Sequence, residues 1–247
     1  MTSSDMKFSI ITATCNSEKT VEHTVRSVME QGITDIEHII VDNCSSDNTL
    51  KIISECKSPF VKIISEPDNG IYDAFNKGLK AASGEVISFL NSDDYYLDAA
   101  LKKISDAFEE NEDAVCVHGN IQVNHRTVRP VNGFLSFGGR RIFHPAAFMR
   151  RSIFDVAGNF DAQFKITSDL DFFLRISETS KFVHIDVPLT NFALGGISTR
   201  KIFAVPGELK AVLLKNGFSR GFAYFIFLFE AFKNIRSLVC GKILRMK

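Results

Sequence analysis

Short apolar segments alternate with longer amphipathic segments along the first third of the chain. The apolar runs are brief and have polar flanks, which is typical of strands that are buried on both faces. We predict four such strands: Phe8–Thr12, Ile36–Val41, Val61–Ser65 and Glu85–Leu90. Apolar positions at helical spacing predict three helices between them: 19–31, 49–56 and 71–82. This alternation predicts βαβ units and a largely parallel sheet with right-handed crossovers.

The later pattern is less regular. It predicts a strand at 114–118, extended hairpin-like structure over 119–129, a helix that carries Asp169, and a late strand at 181–187. Residues 191–200 are polar and contain two glycines, which is typical of a lid over a bound ligand.

Polar clusters follow each of the four early strands. They are Thr14 with Asn16, Asp42 with Asn43, Asp68 with Asn69, and Asp93 with Asp94. Each cluster alone is explained by the turn-forming tendency of Asn, Asp and Ser. Parallel strands end at one edge of a sheet, however, and ligands of open α/β sheets bind beyond that edge.

Asp93 and Asp94 lie three and four residues after Leu90, the last residue of the fourth predicted strand. Adjacent carboxylates repel each other and are easiest to keep ionised around a cation. The pair therefore predicts a metal and phosphate site. The alternative is a solvated turn in which one of the two caps the next helix.

Composition narrows the class of protein. The chain has 247 residues, a formal net charge of zero and 45% hydrophobic residues, enough for one large α/β domain or two small ones. Neutral charge argues against a nucleic-acid partner. We find no signal peptide and no run long enough to span a membrane, and the scattered cysteines favour reduced thiols in a cytoplasmic setting.

Two nucleotide-binding motifs are absent from the sequence. No GxGxxG follows the first strand and no GxxxxGK[ST] occurs, which argues against a dehydrogenase or a P-loop NTPase. Phosphates, if bound, would then be held through a metal.

Several segments together resemble family 2 glycosyltransferases of the GT-A fold. They are SIITATCN, HIIVDNCSSDNT, EPDNGIYDAFNKGLKAASGEVISFLNSDDYY, FHPAAFMRRSIFDVAGNFD and TSDLDFFLRI. The likeness is to bacterial enzymes that build exopolysaccharide, capsule or O-antigen chains. It implies an α/β fold with a Rossmann-like, mainly parallel central sheet flanked by helices.

The resemblance also implies a division of the chain. A GT-A domain would cover 1–216, with a nucleotide-sugar-binding half at 1–120 and an acceptor half at 121–216. The composition of residues 217–247 separately predicts a C-terminal helical extension to this domain.

The resemblance assigns roles to individual residues. Asp169 matches the catalytic base, and Asp93 matches the metal-binding acid of the DxD motif, with Asp94 as a second carboxylate. The residues implied to bind the nucleotide sugar are Ala13, Thr14, Asp42, Asn43, Asp73, Asn76, Lys77, Asn91 and Ser92. His144 stands where the family often has His, either near the diphosphate and metal or as a hydrogen-bonded structural residue.

The sequence departs from the family pattern at several of these positions. Asn91 replaces the first acid of DxD and adds no negative charge. Asn43 and Cys44 replace the usual residues after Asp42, which weakens the inference of a uracil base. Ser168 stands where many members have Glu before the base.

The implied chemistry is sugar transfer with inversion. A hard cation, Mn²⁺ or Mg²⁺, would neutralise the leaving diphosphate of a nucleotide-sugar donor, expected to be a UDP-sugar. Asp169 would deprotonate the acceptor hydroxyl. The acceptor would be a growing, lipid-linked glycan. Two alternatives are a nucleotidyltransferase, which should have a glycine- and lysine-rich first loop, and a non-catalytic sugar-nucleotide-binding or assembly protein.

The composition changes after Gly217. The segment 217–247 combines an apolar, Phe-rich centre with flanking Lys and Arg, which is typical of a helix lying on an anionic membrane surface. We therefore expect peripheral association with the cytoplasmic face of the inner membrane. The alternatives are a helix packed on the domain and a contact between the two subunits of a homodimer.

Overall fold

The computed structural model describes residues 6–130, 142–177, 180–195 and 203–245. The strands are β1 Phe8–Thr14, β2 Ile36–Asp42, β3 Val61–Ser65, β4 Val86–Asn91, β5 Tyr95–Tyr96, β6 Ala114–Val123, β7 Arg126–Val128, β8 Ala147–Arg150 and β9 Lys181–Asn191. The helices are α1 Val21–Met29, α2 Thr49–Glu55, α3 Ile71–Ala81, α4 Ala100–Glu110, α5 Ser152–Ala157, α6 Ser168–Ser177, α7 Val205–Lys215 and α8 Arg220–Arg245.

The described strands form one sheet in the order β3-β2-β1-β4-β8-β6-β9-β5, with β7 paired to β6. The first four strands of this order are parallel, as the βαβ alternation predicts. Beyond β4 the pairing is mixed, because β8 runs antiparallel to both β4 and β6 while β9 is parallel to β6. The predicted α/β class is confirmed, and antiparallel pairing is concentrated in its second half.

Apolar side chains cover both faces of the central strands. On β4, Ile87 and Phe89 point into one cluster, which contains residues of α3, α5 and α6. Val86 and Leu90 point into the opposite cluster, which contains residues of α4. This double burial explains the uninterrupted apolar run of β4.

α3 packs close to the sheet through Gly78. A Cβ atom at this position would overlap the Ile11 side chain of β1 and lie 3.3 Å from Val41 of β2. The missing side chain therefore lets α3 approach the two strands whose carboxyl ends carry predicted binding residues.

The C-terminal helices pack on α6. Leu209 and Leu213 of α7 form a small buried cluster with Ala223 and Ile226 of α8, and partly buried Leu170 and Leu174 of α6 pack against it. Among the described residues, no helix has both the length and the apolar character needed to cross a membrane.

Candidate active site

The carboxyl ends of β1, β2 and β4 lie side by side and carry four predicted binding residues. The strand register places Thr14 opposite Asp42 and Ala13 opposite Asn91. Thr14 Oγ1 and Asn91 Oδ1 are buried and have no hydrogen-bond partner within the described ranges. Because an unpaired buried polar atom destabilises the fold, these two atoms are suited to meet a bound molecule.

Asp42 ends β2 as a fully buried carboxylate. It accepts hydrogen bonds from the Ser45 backbone N–H at 3.0 Å, from the Ser45 hydroxyl, and from the Ser65 hydroxyl at 2.7 Å. These donors replace the water that burial removes and fix the orientation of the carboxylate.

Asn43 and Ser92 join neighbouring loops at this edge of the sheet. The Asn43 N–H donates to the Thr14 carbonyl at 2.9 Å, and Asn43 Oδ1 accepts from the Asp68 N–H at 2.9 Å. Ser92 Oγ lies 2.8 Å from Ser17 Oγ in the loop after β1. The polar clusters after β1, β2, β3 and β4 therefore form one connected rim.

The two carboxylates after β4 have different surroundings. Asp94 is 1% exposed, and its oxygens accept from Asn91 Nδ2 and from the Ala193 N–H, each at 2.8 Å. Burial raises the pKa of Asp94 to about 7. Asp93 is half-buried. Asp94 thus holds residue 193 of the expected lid segment against the strand end, and Asp93 is the more accessible carboxylate.

The residues of this turn fit a cation that is shared with a diphosphate. Asp93 and Asn91 Oδ1 supply hard oxygen donors of the kind that Mg²⁺ and Mn²⁺ prefer. In the described part of the chain, no group of three or more His, Cys, Asp or Glu side chains is placed to hold a metal ion. A cation that keeps phosphate and water oxygens needs only one or two protein ligands.

Asp73 and Lys77 of α3 bind neighbouring loop segments. The Asp73 carboxylate accepts from the Asn69 N–H at 2.8 Å. Lys77 Nζ pairs with Glu66 at 3.0 Å and donates to a backbone carbonyl, and its hydrogen bond to Glu66 raises the pKa of Lys77. The structure gives both side chains a role in holding the loop after β3, and their contact with a nucleotide sugar stays a prediction.

Asn76 binds the backbone of Phe160 with both ends of its amide. Nδ2 donates to the Phe160 carbonyl at 2.9 Å, and Oδ1 accepts from the Phe160 N–H at 3.1 Å. The Phe160 ring packs against Tyr72 at a centroid distance of 5.5 Å. Asn76 therefore fixes the loop beside Tyr72, and its predicted contact with the donor sugar also stays a prediction.

Asp169 lies in the first turn of α6 with both carboxylate oxygens engaged. Oδ1 accepts from the Leu170 N–H and lies 2.9 Å from Tyr72 Oη, while Oδ2 lies 3.3 Å from His144 Nδ1. Burial acts to raise the pKa of Asp169, but hydrogen bonds from His144 and Tyr72 outweigh it and leave this pKa below its ordinary value. With 23% of its side chain exposed, Asp169 is an ionised carboxylate that a second molecule can reach.

His144 links this carboxylate to the strand edge. It begins a short 3-10 turn directly before β8, the strand that pairs with β4. Its Nε2 is buried without a hydrogen-bond partner in the described residues. Of the two roles considered for His144, the structure shows that of a hydrogen-bonded residue, and its hydrogen-bond partner is Asp169.

Tyr72 is the site residue that sequence reasoning missed. It is 5% exposed, and burial raises the pKa of its hydroxyl well above the ordinary value, so this group keeps its proton at neutral pH and donates a hydrogen bond. Its position next to Asp73 in the YDAF segment was the signal in the sequence that could have found it, but its contact with α6 depends on tertiary packing.

The lid segment is described only to residue 195, and residues 196–200 lie outside the described ranges.

Comparisons with known proteins agree with this geometry. The sequence profile described as "Glycosyl transferase family 2" matches residues 9–160. An uncharacterized glycosyltransferase of Mycobacterium tuberculosis is 32% identical over 219 residues, covering 82% of this chain and 81% of that protein. A PGL/p-HBAD biosynthesis glycosyltransferase of Mycobacterium bovis is 30% identical over 203 residues, covering 77% of this chain and 78% of that protein.

A solved structure shares the architecture. The structure of S. aureus TarS 1–349 in complex with UDP-GlcNAc has a TM-score of 0.70 at 22% identity, covering 92% of this chain and 73% of that chain. This likeness confirms the predicted GT-A fold.

Proposed function

Because the chain belongs to glycosyl transferase family 2 and is a glycosyltransferase, we propose that it inverts the anomeric carbon of a UDP-sugar as it transfers the sugar to a glycan hydroxyl. The observation that carries this proposal is the ionised Asp169 carboxylate, which Tyr72 and His144 hold at the edge of the site. A carboxylate that is ionised and held in place can accept the proton of an acceptor hydroxyl.

The donor is assigned to the rim at the carboxyl ends of β1, β2 and β4. The unpaired atoms of Thr14 and Asn91 and the fixed carboxylate of Asp42 offer donors and acceptors for a nucleoside. A UDP-sugar is favoured because the similar TarS structure holds UDP-GlcNAc.

In the proposed reaction, the acceptor oxygen forms a bond to the anomeric carbon from the side opposite the diphosphate. The bond from this carbon to the diphosphate oxygen breaks, and its electron pair leaves with UDP. The hydroxyl proton passes to the Asp169 carboxylate. Tyr72 and His144 keep that carboxylate ionised and oriented until it accepts the proton.

A divalent cation is part of the proposal. Mn²⁺ or Mg²⁺, when bound, supplies positive charge to the leaving diphosphate. Asp93 and Asn91 Oδ1 would hold it together with the phosphates. Asp94, whose oxygens both accept hydrogen bonds, would shape the turn and support these ligands from behind.

The acceptor is proposed to be a lipid-linked glycan at the cytoplasmic face of the inner membrane. One similar protein is named for PGL/p-HBAD biosynthesis. α8 supplies a surface for this location, since five large apolar side chains are exposed at helical spacing: Tyr224, Phe225, Leu228, Phe229 and Phe232. Lys233 and Arg236 on the same helix would attract anionic lipid.

Donor hydrolysis across UDP-, GDP- and dTDP-sugars, with Mn²⁺, Mg²⁺ or EDTA, tests the proposal. We expect turnover of a UDP-sugar that requires the metal. If the protein binds sugar nucleotides without turning over any of them, the non-catalytic binding alternative replaces the enzyme mechanism proposed here.

A further inference from the structure

Glu208 connects the C-terminal helices to the loop that precedes Asp169. It lies in the first turn of α7. Its carboxylate accepts from the backbone N–H groups of Lys165 at 3.0 Å, Ile166 at 2.8 Å and Thr167 at 3.2 Å, and from the Thr167 hydroxyl at 3.3 Å. One side chain therefore fixes three consecutive peptide groups directly before α6.

The same loop controls the hydroxyl of Tyr72. Tyr72 Oη lies 3.0 Å from the Ile166 carbonyl and 2.9 Å from Asp169 Oδ1, so two acceptors compete for one proton. A small displacement of Ile166 changes how that proton is shared. Glu208 binds the N–H of Ile166, so it acts on the hydrogen bond that helps to keep Asp169 ionised.

The other end of α7 holds α6 as well. Asp171 is fully buried and accepts from Lys215 Nζ at 3.0 Å, from Asn216 Nδ2 at 2.9 Å and from Arg175 Nε at 3.1 Å. The last contact is an ion pair between residues four positions apart on α6. α7 thus holds the loop before α6 through Glu208, and the residues at its other end hold the first turn of α6 through Asp171.

We propose that Glu208 is a positioning residue for sugar transfer, acting through the 165–167 loop on Asp169 and Tyr72. The inference rests on the proposed function in taking Asp169 as the base. It gives α7 a part in the chemistry without any contact between Glu208 and the substrates. A purely structural Glu208 would change stability alone, whereas a positioning residue changes turnover in folded protein.

Glu208→Gln in the full chain tests this role, because the amide keeps the shape but has one acceptor oxygen instead of two. We expect kcat for UDP-GlcNAc hydrolysis, or for hydrolysis of the UDP-sugar turned over fastest, to fall about tenfold or more, while donor KM changes by less than about twofold. Amide hydrogen exchange across 165–169 should be faster than in the parent. Glu230→Gln is the matched control, because it makes the same substitution at a glutamate whose ion-pair partner, Lys233, lies on α8.

The outcomes separate the two hypotheses. If folded Glu208→Gln keeps the parental kcat and the parental amide hydrogen exchange while Asp169→Asn is inactive, the positioning role is overturned and the base assignment stands. Full activity of Asp169→Asn overturns the base assignment instead. If Glu208→Gln does not fold, Thr167→Val decides the question, since it removes only the hydroxyl contact with Glu208. A lower kcat at unchanged donor KM then supports the positioning role, and an unchanged kcat overturns it.

Discussion

Tyr72 and Asp169 are separated by 97 positions in the sequence, yet their side-chain oxygens lie 2.9 Å apart. Tyr72 lies in the first turn of α3, which follows β3, and Asp169 lies in the first turn of α6 in the second half of the chain. This contact joins the half expected to bind the nucleotide to the half expected to bind the acceptor. The state of the proposed base therefore depends on packing between the two halves.

Replacing Tyr72 with Phe should move the acid limb of the pH profile. The Tyr72 hydroxyl lowers the pKa of Asp169 by donating to its ionised form, so its loss raises that pKa. The base is then protonated at a higher pH, and kcat/KM should begin to decline at a higher pH than in the parent. Tyr96→Phe is the control, because it removes a buried hydroxyl that contacts Ser88 instead. An unshifted acid limb would show that Tyr72 does not tune the base.

Asp93→Asn and Asp94→Asn should affect metal activation differently. We expect Asp93→Asn to raise the Mn²⁺ concentration needed for half-maximal donor hydrolysis by about tenfold or more, because it removes an anionic ligand. Asp94→Asn should leave that concentration near the parental value and lower thermal stability, because Asp94 binds Asn91 and Ala193. The reverse order in a Mn²⁺ titration would assign the metal to Asp94.

Gly78→Ala should destabilise the fold. The added methyl group would overlap Ile11 and force α3 away from the sheet, which typically lowers the free energy of unfolding by about 1–3 kcal/mol. Gly207→Ala in α7 is the control, since a Cβ there meets nothing within 4 Å. Urea unfolding of both variants measures the difference, and equal midpoints would refute the close packing of α3.

The exposed apolar face of α8 should bind anionic lipid. Phe225 and Phe232 are 53% and 67% exposed, and replacing both with Ser should weaken binding to phosphatidylglycerol-containing vesicles at least about tenfold. Val156→Ser on α5, at a residue 83% exposed, should leave vesicle binding unchanged. If the parent does not bind vesicles but elutes from size-exclusion chromatography as a dimer, and the double substitution dissociates that dimer, the face is a subunit interface.

The first half of the fold could be predicted because its signals are local. β3 occupies Val61–Ser65 as expected, and the other early strands agree within a few residues. Brief apolar runs and polar turns determine these elements without distant contacts. The hairpin of β6 and β7 was also predicted, and its turn has Asn124 and His125 at positive φ.

The second half and the partners of the base could not be predicted in the same way. β8 is four residues long and pairs with β4 and β6, so its identity depends on distant strands. α7 was not predicted, and the contacts of Glu208 form only because α7 packs beside the loop before Asp169. The resemblance supplied Asp169 itself, but its contacts with Tyr72 and His144 arise from tertiary packing.

Donor hydrolysis by Asp169→Asn, measured beside donor binding by calorimetry, tests the proposed mechanism most directly. The substitution keeps the size of the side chain and removes its ability to accept the proton. We predict that kcat falls at least about 100-fold while the dissociation constant of UDP stays within about threefold of the parental value. Parental kcat in Asp169→Asn would contradict the assignment of Asp169 as the base.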